Sequence, residues 1–306
     1  MGSVFKRLRR PAVCDVLRKA AYINPSTIPY ILFKDLFKYP LYFFVLLLFV
    51  KNLKSLLELI LYRNVVRELE FRFGLGKHSL NVDYAFVFAE LILRRIWCYR
   101  IGGKVVARFK GGLISLPDVS YASALTEPFE KMYREVFSFE GRVLDVGGYL
   151  GETAFLFKKW GGTEVIIYEP DNIKAYHAHK TLILNGVKGI VHNCFVNCTN
   201  QHNCVPWSEV LMEKFDIAKV DCEGCENGLL SLPDDYIRKI PKWVIECHSS
   251  ETFRQLVEKF LRAGFRVSFK PYMWQTVYHI AGRERSFHTK AEIPQGFLLI
   301  MTAYLP

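Results

Sequence analysis

The stretch Arg142-Val143-Leu144-Asp145-Val146-Gly147-Gly148-Tyr149-Leu150-Gly151-Glu152-Thr153 constrains the fold more than any other part of the chain. It reads as a short apolar strand, an acidic residue near the strand's carboxyl end, a glycine turn and a helix start. Val143, Leu144 and Val146 suit a strand buried on both faces of a parallel sheet, where apolar residues run on rather than alternate. Gly147, Gly148 and Gly151 permit a tight turn and let backbone N–H groups come close to a ligand. Open α/β sheets bind ligands outside the carboxyl ends of their strands, which is where this turn falls.

From residue 142 onward strands and helices alternate, the signature of a parallel sheet. The pattern predicts a helix over 152–160, a strand over 164–168 and a helix from Asp171 to Asn185-Gly186. A third strand is expected over 189–196, followed by a polar loop or short helix over 197–211. Strands over 216–220 and 243–246 follow, with a helix near 226–232 between them and another over 251–263. The last strands are expected over 265–269 and 297–302. Upstream, residues 63–100 read as helical, 97–116 as a three-stranded meander, and 127–137 as a helix.

The strand tips carry the candidate chemistry. The glycines do not fit the G-x-G-x-x-G spacing of a dinucleotide turn, which disfavours a Rossmann oxidoreductase. Glu169 lies about twenty residues past the turn, where a carboxylate accepts both hydroxyls of a ribose. One later strand ends in Lys219-Val220-Asp221-Cys222-Glu223-Gly224-Cys225-Glu226, and the next in Glu246-Cys247-His248. Parallel strands share a carboxyl end, so Lys219, Asp221, Glu223, Glu246 and His248 are expected in one cleft with Asp145 and Glu169. Acids clustered with a lysine and a histidine shift one another's pKa values, as functional sites often do.

Four strings, V-L-D-V-G-G-Y-L-G-E-T, I-I-Y-E-P-D, I-A-K-V-D-C-E-G-C-E and V-I-E-C-H, together resemble the FkbM family of S-adenosylmethionine-dependent O-methyltransferases, from about Tyr133 to Cys247. The K-x-D-x-E-G-x-E string is the most specific element. The chain departs at Gly148-Tyr149, where the family usually carries Ala-Asn, and residues 1–100 have no counterpart in it. The resemblance implies an α/β class I methyltransferase fold, Rossmann-like, with a seven-stranded mostly parallel sheet. It implies S-adenosyl-L-methionine as cofactor, held by Asp145, Gly147, Tyr149, Gly151 and Glu169, with adenine near Cys194 and Phe195. An alcohol is a poor nucleophile until it loses its proton, so a positioned base is needed. His248 is the first choice and Asp221 the second, with Lys219 or Glu223 orienting the acceptor or holding the base. The expected acceptor is a hydroxyl on a glycan, a lipid-linked sugar or a secondary metabolite.

The remaining length sets the organisation. The 306 residues divide into a basic and apolar helical extension over 1–62, a helical and meander lead-in over 63–140, and the cofactor-binding domain over 141–306. The uncharged run from Tyr39 to Val50 falls short of the ~20 residues a membrane-spanning helix needs. Beyond it Lys51, Lys54, Ser55, Glu58 and Tyr62 share one helix face, and leucines fill the rest. Two readings stand for 28–62: an in-plane membrane anchor, or a cap packed on this domain or on a second subunit. No secretory signal is evident, so a cytoplasmic protein is expected, peripheral on the inner face of the membrane if the anchor reading holds.

The formal charge of +11 favours acidic partners and leaves an RNA methyltransferase as an alternative, although no aromatic-basic recognition motif supports nucleic acid. A membrane-tethered binding protein with an inert cleft is the non-enzymatic alternative. Cys194, Cys198, His202 and Cys204 have a spacing that suggests zinc, with Cys222 and Cys225 nearby. The strand-tip string already accounts for the last two, and no metal is expected.

Overall fold

A computed structural model describes residues 40–61, 66–101, 103–134, 140–197, 203–271, 278–280 and 299–306. The basic N-terminus, the first part of segment 28–62, Tyr62, Cys198 and His202 lie outside the described residues. Residues 40–49 (α1) and Leu53–Leu61 (α2) are helices. α1 buries Tyr42, Val45 and Leu46 and turns Leu41, Phe44 and Leu48 outward.

The next stretch corrects the helical reading of 63–100. Arg67–Phe71 (β1) and Gly76–Leu80 (β2) pair as an antiparallel hairpin. Leu69, Phe71, His78 and Leu80 alternate inward, the period of a half-buried strand, and Gly74 and Gly76 take the positive φ that the tight turn requires. Helix α3 (Val82–Leu93) follows, its first turn capped by the Asn81 side chain accepting from the Tyr84 N–H. Trp97–Ile101 (β3), Lys104–Phe109 (β4) and Gly112–Leu116 (β5) form the expected meander. A 3-10 segment (Val119–Thr126) comes next, and of the helix expected over 127–137 the described residues hold only a single turn, Glu130–Arg134.

The rest of the chain winds a sheet. In order come β6 (Gly141–Val146), α4 (Glu152–Lys159), β7 (Gly162–Tyr168), α5 (Asn172–Leu184) and β8 (Gly189–His192). Then follow β9 (Phe195–Val196), β10 (Cys204–Val205), α6 (Trp207–Val210), β11 (Ile217–Val220), a 3-10 turn (Cys225–Ser231) and α7 (Asp234–Arg238). β12 (Lys242–Cys247), α8 (Ser250–Arg262), β13 (Arg266–Pro271), β14 (Tyr278–Ile280) and β15 (Leu299–Tyr304) complete it. The strand order is β14-β13-β15-β12-β11-β6-β7-β8. β15 runs antiparallel between β12 and β13, whereas β6, β7, β8, β11 and β12 are mutually parallel. This is the class I methyltransferase sheet, with short β14 added at one edge.

The expected third strand is shorter than its apolar run. It ends at His192, because the Asn193 side chain donates to the Glu169 and Pro170 carbonyls and turns the chain. Phe195 and Val196 then pair with Cys204 and Val205 in a separate two-stranded sheet.

The central strands are buried on both faces. Val143, Val165, Ile167, Ile217 and Val244 join one buried cluster with α1 to α4, the hairpin and the meander. Leu144, Val146, Ile166, Ala218, Val220 and Ile245 join a second cluster with α6, α7 and α8. The meander docks on α5 through the Ser115 N–H to Thr181 Oγ1 (3.1 Å) and the Leu113 N–H to Asn185 Oδ1 (2.9 Å).

Candidate active site

The register brings four strand tips level. Val146 pairs with Tyr168 on one side and Val220 on the other, and Val220 pairs with Ile245. The residues that follow, Gly147, Glu169, Asp221 and Glu246, therefore stand side by side, as the parallel pattern predicts. They line a cavity of about 880 Å³ together with Tyr149, Cys194, Phe195, Lys219, Glu223 and His248. Asp145 and Gly151 belong to the glycine turn and are not among the lining residues.

At the glycine turn the polar groups interlock, although Asp145 Oδ1 has an ion pair and no hydrogen bond. Asp145 is fully buried; Thr153 Oγ1 donates to its Oδ2 at 2.6 Å, and Lys219 Nζ lies 3.1 Å from its Oδ1. The same ammonium donates to the Gly147 carbonyl (2.6 Å) and lies 3.6 Å from Asp221. Burial works against the Lys219 charge, yet Asp145 and Asp221 outweigh it and raise its pKa above the ordinary lysine range. Glu169 accepts from the Tyr149 and Asp171 N–H groups, 3.0 Å each, so the tip of β7 is fastened to the turn after β6. Burial raises its pKa. Glu152, inside the helix start, accepts from the Leu150 N–H at 3.0 Å, and burial pushes its pKa up to about 8.

On the other side of the cavity the loop after β11 is held by a Cys222–Cys225 disulfide. Between those cysteines Glu223 adopts φ +56° and Gly224 φ +124°. Glu226, 1% exposed, accepts from the Gly224 N–H (2.8 Å) and meets His248 Nδ1 at 3.2 Å. His248 Nε2 faces Asp221 Oδ1 at 3.9 Å and Glu223 Oε1 at 3.8 Å. The Glu226 contact raises His248 to about 9 against the pull of burial, with Glu223 and Asp221 adding to it. The carboxylates around it thus favour the protonated imidazole, and that proton must leave before Nε2 takes one from an acceptor or binds an ion. Burial and then the neighbouring Asp221 push Glu246 up to about 8.

All eleven residues named from the sequence for cofactor or catalysis are thus placed at the glycine turn or around this one cavity. Three contributors were not singled out from the sequence. Glu226, the last residue of the K-x-D-x-E-G-x-E string, holds His248; Thr153 and Glu152 hold the glycine turn from the first helical turn of α4. Among the described residues the zinc spacing does not assemble: Cys222 and Cys225 are joined to each other, Cys204 is disulfide-bonded, and Cys194 is a half-buried free thiol.

No protein-family model and no curated protein matches the chain. Among solved structures, it is similar to the ribosomal protein L11 methylase of Lactobacillus delbrueckii subsp. bulgaricus at 14% identity and a TM-score of 0.36, covering 57% of this chain and 76% of that one. It is similar to the precorrin-6y C5,15-methyltransferase of Geobacter metallireducens at 10% identity and a TM-score of 0.38, over 57% and 86% of the two chains. It is likewise similar to M. jannaschii TYW2, solved in complex with AdoMet, at 12% identity and a TM-score of 0.37, over 66% and 87%. At such identities and scores the fold assignment rests on the strand order of this chain itself.

Proposed function

We propose that this chain is an S-adenosylmethionine-dependent methyltransferase that methylates a hydroxyl group on a glycan, a lipid-linked sugar or a secondary metabolite. The observation that carries the reading is the shared cavity. Glu169, a buried carboxylate fastened to the glycine turn, faces the same space as Asp221, Glu246 and His248. The first side suits a ribose and the second an acceptor oxygen, so sulfonium and hydroxyl meet between them. Asp145, Gly147, Tyr149 and Gly151 shape the cofactor side, with Cys194 and Phe195 beside the adenine. On the acceptor side Lys219 fixes Asp221, and Asp221 and His248 face the acceptor proton, with Glu223 at the rim. The strand-tip string K-x-D-x-E-G-x-E supports placing the chain in the FkbM family.

The test is calorimetric titration of S-adenosylmethionine and of NADH into the full chain. S-adenosylmethionine is expected to bind and NADH not to bind. Glu169→Ala is expected to weaken S-adenosylmethionine binding by tenfold or more, since the ribose loses a charged acceptor. NADH binding in place of S-adenosylmethionine would overturn the reading.

RNA is the second acceptor reading. It is favoured by a neighbouring cavity of about 570 Å³ lined by Arg94, Arg95, Arg108 and Lys110, which shares Glu127 with the first. The proposal also extends to the N-terminal helices, assigned to a membrane surface. Leu41, Phe44 and Leu48 of α1 and Leu53, Leu57 and Leu61 of α2 are exposed, with Lys51 and Lys54 beside them. No helix among the described residues is long and apolar enough to cross a membrane.

A further inference from the structure

Three ligand-type side chains converge at the acceptor end of the cavity. One atom each from Asp221, Glu246 and His248 lies within 4.8 Å of the others. Each is placed by a different constraint. Asp221 follows the last residue of β11 and is tethered by Lys219, whose charge is already shared with Asp145 and the Gly147 carbonyl. His248 is oriented from behind: its Nδ1 faces the Glu226 carboxylate, itself fixed by the Gly224 N–H, and this leaves Nε2 directed toward Asp221. A carboxylate on the far nitrogen is the arrangement that orients and tunes metal-binding imidazoles.

Glu246 supplies the independent observation. It is 5% exposed and lines the cavity, and its carboxyl makes no hydrogen bond or ion pair with a described residue. A buried carboxylate is costly unless something cationic or hydrogen-bonding meets it. Lys219 does not fill that role, because its contacts are with Asp145, Gly147 and Asp221. Nor does His248, which faces Asp221, Glu223 and Glu226. The cluster holds more carboxylates than cations to pair with them.

From this geometry we infer that Asp221, Glu246 and His248 Nε2 bind a divalent cation, revising the metal-free expectation from the sequence. Two carboxylates and an imidazole suit a first-row ion such as Mn²⁺ or Zn²⁺ better than Ca²⁺, which takes oxygen ligands alone. Three protein ligands leave coordination positions open, and the acceptor hydroxyl takes one of them. The inference rests on the methyltransferase reading for that last role, but the ion site itself does not. Cis ligands about 2.1 Å from a metal stand about 3 Å apart, so the ligand atoms, His248 Nε2 and Asp221 Oδ1 at 3.9 Å among them, close slightly around the ion.

With the ion bound, the hydroxyl loses its proton at lower pH. The acceptor O–CH3 bond then forms as the S–CH3 bond breaks, the bonding pair stays on sulfur as a neutral thioether, and the proton leaves through Glu223 at the rim to solvent.

The experiment uses the full chain, stripped with a chelator and dialysed. It is titrated with Mn²⁺ alone, followed by the electron paramagnetic resonance of free Mn²⁺, and separately with S-adenosylmethionine. One Mn²⁺ per chain is expected. Its affinity should fall tenfold or more in Glu246→Gln and at least tenfold in Glu226→Gln, while S-adenosylmethionine affinity stays within about twofold. His248→Gln, at a half-buried position, gives the same readout if the Glu246 substitution disturbs folding. Absence of Mn²⁺ binding with S-adenosylmethionine binding intact overturns the ion site and leaves the methyltransferase reading standing. Equal Mn²⁺ affinity in wild type, Glu246→Gln and His248→Gln overturns it as well. Mn²⁺ binding without S-adenosylmethionine binding overturns the methyltransferase reading and keeps the ion site.

Discussion

At the scale of single residues, Gly147 shows how closely the strand tips are fitted. Its φ is +78°, and a Cβ added there would stand 1.7 Å from the Asp221 carbonyl oxygen. That oxygen belongs to the backbone, so nothing flexible yields. Gly147→Ala is expected to cost roughly 3 kcal/mol or more, read as a lowered denaturant midpoint; an unchanged midpoint would show that the tips part easily. Glu152 gives a prediction in pH. Burial raises its folded pKa from the ordinary 4.5 to about 8, so the folded state holds this proton more tightly than the unfolded one. The stability it contributes is complete below pH 4.5 and is lost as pH rises toward 8. Glu152→Gln keeps the side-chain carbonyl that accepts from the Leu150 N–H and removes the titration. Wild type should therefore lose on the order of 3 kcal/mol relative to Glu152→Gln between pH 5 and 8, measured by paired unfolding curves. Parallel curves across that range would place Glu152 in contact with water. Asp145 and Glu169 were legible in the sequence because a strand tip fixes their position. Tyr149 was legible as a position but not as a conformation: it sits at φ +47°, a left-handed region that Asn tolerates and Tyr rarely adopts, with Lys174 Nζ 4.7 Å from its ring centroid.

At the scale of elements, the buried strands were readable because parallel strands are apolar throughout and end in polar tips. β1 and β2 were not. Their Leu69, Phe71, His78 and Leu80 are too few to separate a period of two from a helical stripe, and only the pairing of Phe71 with Gly76 fixes the hairpin. Phe71 then stacks on Phe88 of α3 with centroids 4.1 Å apart, a contact between elements that no local pattern reports. The N-terminal helices show the same limit from the other side. Periodicity finds an apolar face but not its cover, and here α1 has both kinds: Tyr42, Val45 and Leu46 pack inward while Phe44 and Leu48 are 57% and 52% exposed. Because both side chains are more than half exposed, Phe44→Glu with Leu48→Glu should leave the unfolding midpoint within about 0.5 kcal/mol of wild type. The same double variant should lower co-sedimentation with vesicles of anionic phospholipid by tenfold or more. Equal sedimentation of both proteins would assign the face to something other than lipid.

At the scale of the whole molecule, the question is whether residues 40–96 are an appendage. The sequence places boundaries near 62 and 140, where the local style changes. The packing crosses both. One buried cluster runs from Tyr42 and Leu46 through Phe71, Phe88 and Leu91 to Val143, Ile167, Val244 and Ile300. The N-terminal elements therefore share one continuous buried cluster with the central sheet, reached through the meander and the 3-10 segment after it. Deleting residues 1–96 removes Leu46, Phe71, Phe88, Leu91 and Ile92 from the cluster and bares the side chains they cover. At about 2 kcal/mol for each large apolar side chain, the loss is on the order of 10 kcal/mol, comparable with the entire stability of a typical domain. The chain from residue 97 onward is expected to bind a hydrophobic dye, to lose its cooperative thermal transition and to bind no S-adenosylmethionine. The intact chain should unfold in a single transition that S-adenosylmethionine moves to higher temperature. A shortened chain that melts cooperatively near the wild-type temperature would mean that the rest of the cluster suffices for folding, and the N-terminal elements would then be free to serve the membrane surface alone.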